Sequence, residues 1–167
     1  MGARLGTAAT QGFGMTELSP VSHISRPGAS MPGASGRTLA NTQCRIVDPE
    51  TLKDLPPGQD GELWVKGPQV MKGYLNNPTA TANTIVEDGW LRTGDIAHFN
   101  EDGYLFVTDR LKELIKVKGF QVAPAELEAL LLTHPDITDA AVIGVADPDS
   151  GEVPMAFIVA QSPPTLA

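Results

Sequence analysis

The sequence predicts an α+β protein in two parts, because its pattern of apolar segments changes near residue 108. Before that point the chain is rich in Gly, Pro, Thr and Asn, and short apolar segments alternate with turn signals. Many short strands with closely spaced turns are typical of a small barrel or twisted sheet. After that point a strand, a helix and two further strands follow, which predicts a compact α+β unit. Hydrophobic residues form 41% of the 167 residues, which is enough for a packed core.

The first part contains three segments with the composition of strands, each bounded by Pro-Gly or Asp-Gly turn signals. They lie at residues 43–48, 61–65 and 104–108. In the second part, residues 111–117 show an alternating pattern that Gly119 interrupts.

A helix is predicted to begin at Pro124, because proline suits the first helical position. Its apolar residues recur at helical spacing, at Leu127, Leu130 and Leu131. Pro135 ends the helix, and two short apolar strands follow at residues 140–146 and 155–160.

Basic residues are concentrated in one segment of an otherwise acidic chain. The formal net charge is −8, which argues against a nucleic-acid partner. Four of the 12 basic residues lie within nine positions, at Arg110, Lys112, Lys116 and Lys118. If residues 112–118 are extended, the three lysines share one face of a strand, and an anion between them would relieve their repulsion. A solvated edge strand protected by lysines explains the same pattern, so both interpretations stay open.

Cys44 is the single cysteine, so we expect neither a disulfide framework nor a cysteine-based metal site. This fits a reducing compartment and predicts a cytoplasmic location. No apolar run approaches the ~20 residues that would span a membrane, and the first residues lack the apolar core of a secretory signal.

The string Gln-Gly-Phe-Gly-Met-Thr-Glu at residues 11–17 is the first candidate site. Two glycines beside an aromatic ring would let the backbone approach a planar ligand while the Phe13 ring packs on its face. Thr16 and Glu17 offer hard oxygen ligands suited to Mg²⁺ and phosphate. Taken alone, such glycines also indicate an ordinary tight turn.

The string Asp-Gly-Trp-Leu-Arg-Thr-Gly-Asp at residues 88–95 is the second candidate site. The Asp95 carboxylate could accept hydrogen bonds from both hydroxyls of a ribose. Because aspartate after glycine often closes a turn, that structural role is the alternative.

In order and spacing, these strings resemble the adenylate-forming (AMP-binding) superfamily, in its branch of coumarate–CoA ligases, long-chain acyl-CoA ligases and luciferases. Residues 61–68, 71–74 and 109–128 carry the same resemblance. It implies a ligase that converts a carboxylic acid and ATP into an acyl-adenylate and pyrophosphate, and then into acyl-CoA and AMP. It also implies that residues 1–108 are the end of a large N-terminal domain with a small β-barrel subdomain. Residues 109–167 would then be the hinge and a truncated C-terminal α+β domain.

The resemblance assigns a role to each candidate residue. Gln11, Gly12 and Thr16 would line the nucleotide site, and Phe13 would lie against adenine where the family more often has tyrosine. Glu17 would help to hold Mg²⁺, Asp95 would bind the ribose and Arg110 would approach the nucleotide. Asp109 would be the hinge, Lys112 and the catalytic candidate Lys116 would face the adenylate, and Lys118 and Gly119 would contact CoA.

Two elements of the family pattern are not found in these residues. The Ser/Thr/Gly-rich phosphate loop would lie upstream of Met1, and no Lys or Arg follows Lys118 to act as the lysine of the adenylation step. We therefore expect an internal fragment that does not adenylate by itself. The partners implied are ATP, CoA and a small aryl or fatty acid. A non-catalytic nucleotide- or CoA-binding module and an adenylation domain serving a carrier protein are the alternatives.

Overall fold

The computed structural model describes residue 7 and residues 9–161, and it divides the chain into two compact units between Thr108 and Asp109. Within the described residues, 12 strands and two α-helices form mixed α+β structure, so the predicted fold class is confirmed. None of the helices found between residues 9 and 161 is long and apolar enough to cross a membrane.

The first unit contains a small antiparallel sheet of three strands in the order β1-β2-β3. These strands are β1 (Gly12–Gly14), β2 (Val21–Ile24) and β3 (Arg37–Thr38). The sheet is short, and its backbone pairing places the first candidate string directly beside β2.

A larger sheet of the first unit runs in the order β4-β5-β7-β6, with β8 also paired to β7. Its strands are β4 (Gln43–Val47), β5 (Gly61–Lys66), β6 (Ile85–Val86), β7 (Trp90–Phe99) and β8 (Leu105–Arg110). The three strands predicted in this part are confirmed, with ends that differ by a residue or two. The pairings found among the described residues run in an open order.

The core of the first unit lies against this larger sheet. Its buried members are Leu18, Ile46, Leu63, Val65, Leu91, Ala97 and Leu105. Leu18 belongs to the turn that follows β1, so the first candidate string is anchored in the same core as β5 and β7. The short helix α1 (Pro78–Thr84) begins where the Asn77 side chain accepts a hydrogen bond from the Ala80 N–H at 3.0 Å.

The second unit is a four-stranded antiparallel sheet in the order β10-β9-β12-β11 with one helix. Its elements are β9 (Ile115–Val117), β10 (Phe120–Val122), α2 (Pro124–Leu131), β11 (Ile137–Asp147) and β12 (Gly151–Ala160). The predicted helix and both strands after it are confirmed, although the strands are longer than their apolar centres suggested. Helix α2 is tied to β11 by the Glu128 carboxylate, which accepts the Val142 N–H at 2.8 Å.

The basic segment does not have the extended shape considered for residues 112–118. Leu111–Glu113 is a 3₁₀ turn, and only Ile115–Val117 is a strand. Lys118 and Gly119 have φ values of 49° and 86°, and they form the two-residue loop of the β9–β10 hairpin, where Val117 pairs with Phe120. Positive φ at both loop residues matches the twist of a tight hairpin. The three lysines therefore do not line one face of a single strand.

Candidate functional site

Strand β1 carries the first candidate string and pairs with β2 so that Phe13 lies opposite His23. A Cβ atom added to Gly12 would lie 2.9 Å from the His23 carbonyl oxygen, and one added to Gly14 would overlap the Pro20 carbonyl oxygen. Both glycines are therefore required by the neighbouring strand. The close approach that the sequence suggested for a ligand is made here by the protein's own backbone.

Gln11 and Phe13 take different positions in this hairpin. The Gln11 carbonyl oxygen accepts the Ser25 N–H at 2.7 Å, which extends the pairing of the two strands, and its side chain is exposed. Phe13 is half-buried and packs against the core. Its ring meets the His23 ring edge-on, with centroids 6.1 Å apart and planes at 61°. Phe13 thus remains partly exposed.

Thr16 and Glu17 lie in the 3₁₀ turn Thr16–Leu18, which is anchored by the fully buried Leu18. The Glu17 carbonyl oxygen accepts the Met71 N–H at 2.9 Å. Its carboxylate accepts a hydrogen bond from the Tyr74 hydroxyl at 2.7 Å. This contact raises the pKa of Tyr74, because the hydroxyl proton is held by a carboxylate. The segment around residues 71–74 therefore orients Glu17.

The geometry at Glu17 is compatible with a magnesium ion that arrives with a nucleotide. Thr16 is exposed and Glu17 is half-exposed in adjacent positions. The described part of the chain holds no group of three or more His, Cys, Asp or Glu side chains that could enclose a metal. Mg²⁺ is commonly bound by one or two carboxylates together with phosphates and waters. One carboxylate beside a hydroxyl fits that arrangement.

Asp95 lies on a bulge of β7, and this bulge was not predicted. Glu62 of β5 pairs with Ile96 and Trp64 pairs with Arg92, so residues 93–95 lie opposite Leu63 alone. Gly94 has a φ of 74°, and the Thr93 hydroxyl donates to the Leu63 carbonyl oxygen at 2.8 Å. Bulges bend a strand and redirect its side chains, often beside active sites. The Thr93 hydroxyl also accepts the Asp95 N–H at 3.1 Å, so Asp95 is held at a fixed point of the bulge.

An ion pair with a buried carboxylate spans this bulge. Glu62, which is only 2% exposed, accepts two hydrogen bonds from Arg92 at 3.0 and 2.9 Å through one carboxylate oxygen. The same oxygen accepts the Trp64 indole N–H at 2.9 Å. Because Glu62 pairs with Ile96 at one end of the bulge and binds Arg92 at the other, the pair spans the width of the bulge.

In the second unit, the Asp109 carboxylate binds backbone groups. It accepts the Arg110 N–H at 2.7 Å and, more weakly, the Ala125 N–H at 3.4 Å. Ala123, which precedes helix α2, has no side chain able to cap it. Asp109 therefore replaces the missing cap at the first turn of α2 and belongs structurally to the second unit.

The remaining candidate residues of the second unit lie near its surface. Arg110, Lys112, Lys116, Lys118 and Gly119 are all exposed. The Lys116 backbone N–H donates to the Glu152 carboxylate at 2.8 Å, which fixes the strand while leaving the ammonium group exposed. A cleft of about 420 Å³ in this unit is lined by Asp109, Lys112, Glu128 and Glu152, among others.

The structure thus brings the candidate residues together in two groups, one in each unit. Gln11, Gly12, Phe13, Thr16 and Glu17 share one hairpin and its turn, and Asp95 lies on the sheet that shares their core. Sequence reasoning assigned no role to His23, to Tyr74 or to the Glu62–Arg92 pair. The Met-Lys-Gly-Tyr string at residues 71–74 was a usable signal for Tyr74, whereas a cross-strand histidine has none without the register.

A sequence model of AMP-binding enzymes matches residues 1–75, and one of the AMP-binding enzyme C-terminal domain matches residues 126–167. The chain belongs to the AMP-binding enzyme family.

Among its relatives, 4-coumarate–CoA ligase 1 of Glycine max is 57% identical over 154 residues, covering 89% of this chain and 53% of the relative. The 4-coumarate–CoA ligase 2 of Nicotiana tabacum is 54% identical over 161 residues, covering 93% of this chain and 30% of the relative. The chain thus spans roughly a third to a half of these ligases.

Solved structures of similar proteins show the same fold. ATP-bound MatB from Rhodopseudomonas palustris superposes with a TM-score of 0.85 at 37% identity, over 97% of this chain and 32% of that one. The o-succinylbenzoate CoA synthetase of Bacillus subtilis, in complex with its acyl-adenylate intermediate, gives 0.82 at 35% identity, over 98% of this chain and 34% of that one. These neighbours are nucleotide-bound adenylate-forming enzymes.

Proposed function

We propose that the chain supplies one wall of the nucleotide site and the hinge of an ATP-dependent carboxylic acid–CoA ligase. The observation that carries this proposal is the bulge at residues 93–95, which holds the Asp95 carboxylate on the sheet that also anchors the Phe13–Glu17 turn. An aromatic face, a hydroxyl, and two carboxylates with different surroundings are what a nucleoside phosphate with Mg²⁺ requires. The relatives named as coumarate–CoA ligases support the same assignment.

In this proposal each residue of the first unit has a chemical task. Phe13 offers its accessible ring to adenine, and Asp95, an acceptor-only group, receives hydrogen bonds from the ribose hydroxyls. Gln11, Gly12 and Thr16 line the same site. Glu17, with Thr16 beside it, would hold Mg²⁺, which neutralises phosphate charge when bound. Glu17 can keep its Tyr74 hydrogen bond through Oε1, and its other oxygen would then help to hold Mg²⁺.

The second unit supplies cations and the pivot. Attack of a carboxylate on the α-phosphate joins two anions, so positive groups must compensate the developing charge. We assign Arg110 and Lys112 to the nucleotide and Lys116, the catalytic candidate, to the adenylate. Lys118 and Gly119 form an exposed hairpin loop that can approach CoA. Asp109 is the proposed hinge between residues 1–108 and 109–167, where one pocket could receive different residues in each half-reaction.

We further propose that these 167 residues do not catalyse adenylation by themselves. They contain neither a Ser/Thr/Gly-rich loop ending in Pro-Lys-Gly nor a Lys or Arg after Lys118. With ATP, Mg²⁺ and a panel of aryl and fatty acids, we expect no acid-dependent release of pyrophosphate. Release at enzymatic rates would contradict this part of the proposal. The predicted cytoplasmic location stays a prediction from the cysteine content.

Titration calorimetry tests the nucleotide site directly. We expect the chain to bind AMP and Asp95→Ala to weaken that binding about tenfold or more, since a hydrogen bond to a charged group contributes about 1.5–3 kcal/mol. 2′-Deoxy-AMP should lose less affinity than AMP in the same variant. Asp102→Ala, which removes an exposed carboxylate of a β7–β8 turn, is the matched control and should bind AMP normally. No heat with AMP, or equal binding by Asp95→Ala, would exclude the assignment.

A non-catalytic binding module is the second candidate, favoured by the exposed Lys118-Gly119 loop. In that case the chain binds CoA or AMP with measurable heat. No acyl-CoA forms when the other segments of a related ligase are added in trans. Recovery of acyl-CoA formation by such complementation would favour the ligase.

A further inference from the structure

We propose that His23 is a positioning residue that fixes the ring of Phe13 in the orientation needed to receive a nucleotide base. The inference rests on the proposed function for the role of Phe13. It concerns a residue outside the candidate strings, buried behind the β1 strand.

The backbone places the two rings against each other. Phe13 and His23 are direct partners in the antiparallel β1–β2 pair, so their side chains leave the same face of the sheet. The ring centroids lie 6.1 Å apart with planes at 61°, an edge-to-face arrangement. The histidine ring therefore limits rotation of Phe13 toward its own side.

The His23 ring has a side-chain partner at each of its two nitrogens. It is fully buried, and its Nδ1 lies 2.9 Å from the Ser22 hydroxyl while its Nε2 lies 3.4 Å from the Cys44 thiol. A neutral imidazole has one donor and one acceptor nitrogen, and a hydroxyl and a thiol can each take either role. Both nitrogens are therefore satisfied, and a satisfied buried polar network defines one orientation of its members.

A third aromatic ring completes the support. Phe99 of β7 lies 5.8 Å from the His23 ring centroid. Phe99 belongs to the strand whose bulge carries Asp95. His23 thus stands between the ring proposed for the base and the strand proposed for the ribose, and it can set the distance between these two contacts.

An apolar residue would fill the same space with less orientation. Leucine at position 23 would keep a buried side chain but would lose both hydrogen bonds and the aromatic edge, so that Phe13 could adopt other rotamers. Burial also lowers the pKa of His23 to about 4, so the ring is neutral at ordinary pH and its geometry does not change with small changes in pH. The advantage of histidine at this place is a fixed ring.

The test compares binding of AMP with binding of ribose 5-phosphate, which lacks the base. We expect His23→Leu to weaken AMP binding about threefold to tenfold, the effect of one aromatic pair, and to leave ribose 5-phosphate binding unchanged. The double variant Ser22→Ala and Cys44→Val, which removes the anchors and keeps the ring, should show a smaller loss with the same selectivity. Val47→Ala, a fully buried position away from the network, controls for general destabilisation.

Equal losses for both ligands in His23→Leu, or the same selective loss in Val47→Ala, would overturn the inference. If the wild-type chain binds no AMP, the proposed function fails first, and NMR of the labelled Phe13 ring decides the remaining question. One sharp set of ring signals in the wild type that becomes broadened or multiple in His23→Leu supports positioning. Identical spectra exclude it. If His23→Leu does not fold, the same comparison is made with the Ser22 and Cys44 variant.

Discussion

Glu62 and Arg92 form an ion pair across the bulge that presents Asp95. Glu62 pairs by backbone with Ile96, on the far side of the bulge, while its carboxylate holds Arg92 on the near side at 2.9 Å. The pair therefore links the two ends of the three-residue bulge. Because the carboxylate is buried and also accepts the Trp64 N–H, breaking the pair would leave several polar groups unsatisfied.

Replacing Glu62 by alanine should destabilise the first unit by about 2 kcal/mol, because it removes a buried acceptor of hydrogen bonds from Trp64 and from Arg92, which is 33% exposed. The free energy of unfolding from urea titration measures this. Asp54→Ala is the matched control, since it breaks the Arg45–Asp54 pair in which the aspartate is 66% exposed. We expect that control to cost less than about 1 kcal/mol. Equal costs for both variants would contradict a stabilising role for the Glu62–Arg92 pair.

Stability should fall in acid through His23. Its pKa is lowered from 6.5 to about 4 by burial, so between these values the unfolded chain binds a proton that the folded chain excludes. The contribution of His23 to the free energy of unfolding is therefore fully present above pH 6.5. It decreases as the pH falls toward 4, by up to about 1.4 kcal/mol per pH unit. His23→Gln should flatten this slope. A slope unchanged by the substitution would show that other groups cause it.

The Cys44 thiol should resist alkylation in the folded chain. Burial raises its pKa from 9.0 to about 11, although a hydrogen bond with Thr38 acts in the opposite direction. The thiolate is the reactive form, so labelling by iodoacetamide at about pH 8 should be roughly 100-fold slower than in denaturant. Mass spectrometry of the time course measures both rates. Rapid labelling of the folded chain would mean that the site opens readily.

Loss of the Asp109 carboxylate should loosen the first turn of helix α2. Asp109→Ala removes the acceptor for the Arg110 and Ala125 N–H groups. The expected cost is about 0.5–1 kcal/mol, the lower range for a cap, because the contact to Ala125 is long. Hydrogen exchange at Ala125 should become faster, and Asp109→Asn, which keeps an oxygen acceptor, should restore part of the protection. Unchanged exchange in the alanine variant would leave Asp109 without a capping role.

The sequence was sufficient for those elements whose cause is local. Helix α2 follows from Pro124 and the leucine spacing, and β5 follows from its composition and its turns. The bulge at Thr93 to Asp95 could not be foreseen, because it depends on pairing with β5, which lies about 30 residues earlier in the chain. The extended arrangement considered for residues 112–118 was wrong for a local reason. Gly119 was noted as an interruption, but the turn begins one residue earlier, at Lys118, which takes a positive φ.

Predictions at the site divide in the same way. The residue types of Phe13, Thr16, Glu17 and Asp95 could be chosen from chemistry, and their roles stay predictions. The supporting residues could not be predicted. His23, Tyr74 and Glu62 come near the site only through pairings between segments that are distant in sequence. The roles of Lys116 and Asp109 in the reaction stay predictions.

Because the neighbouring backbone passes close to Gly12 and Gly14, glycine at these positions in a related protein has a structural cause. Any descendant that keeps this hairpin must keep a residue without a Cβ at position 14, whether or not its pocket still receives a nucleotide. Agreement between lineages at the two glycines therefore records a shared path of the chain. Divergence of chemistry would be visible only at their neighbours Phe13, Thr16 and Glu17, which the backbone leaves free to vary.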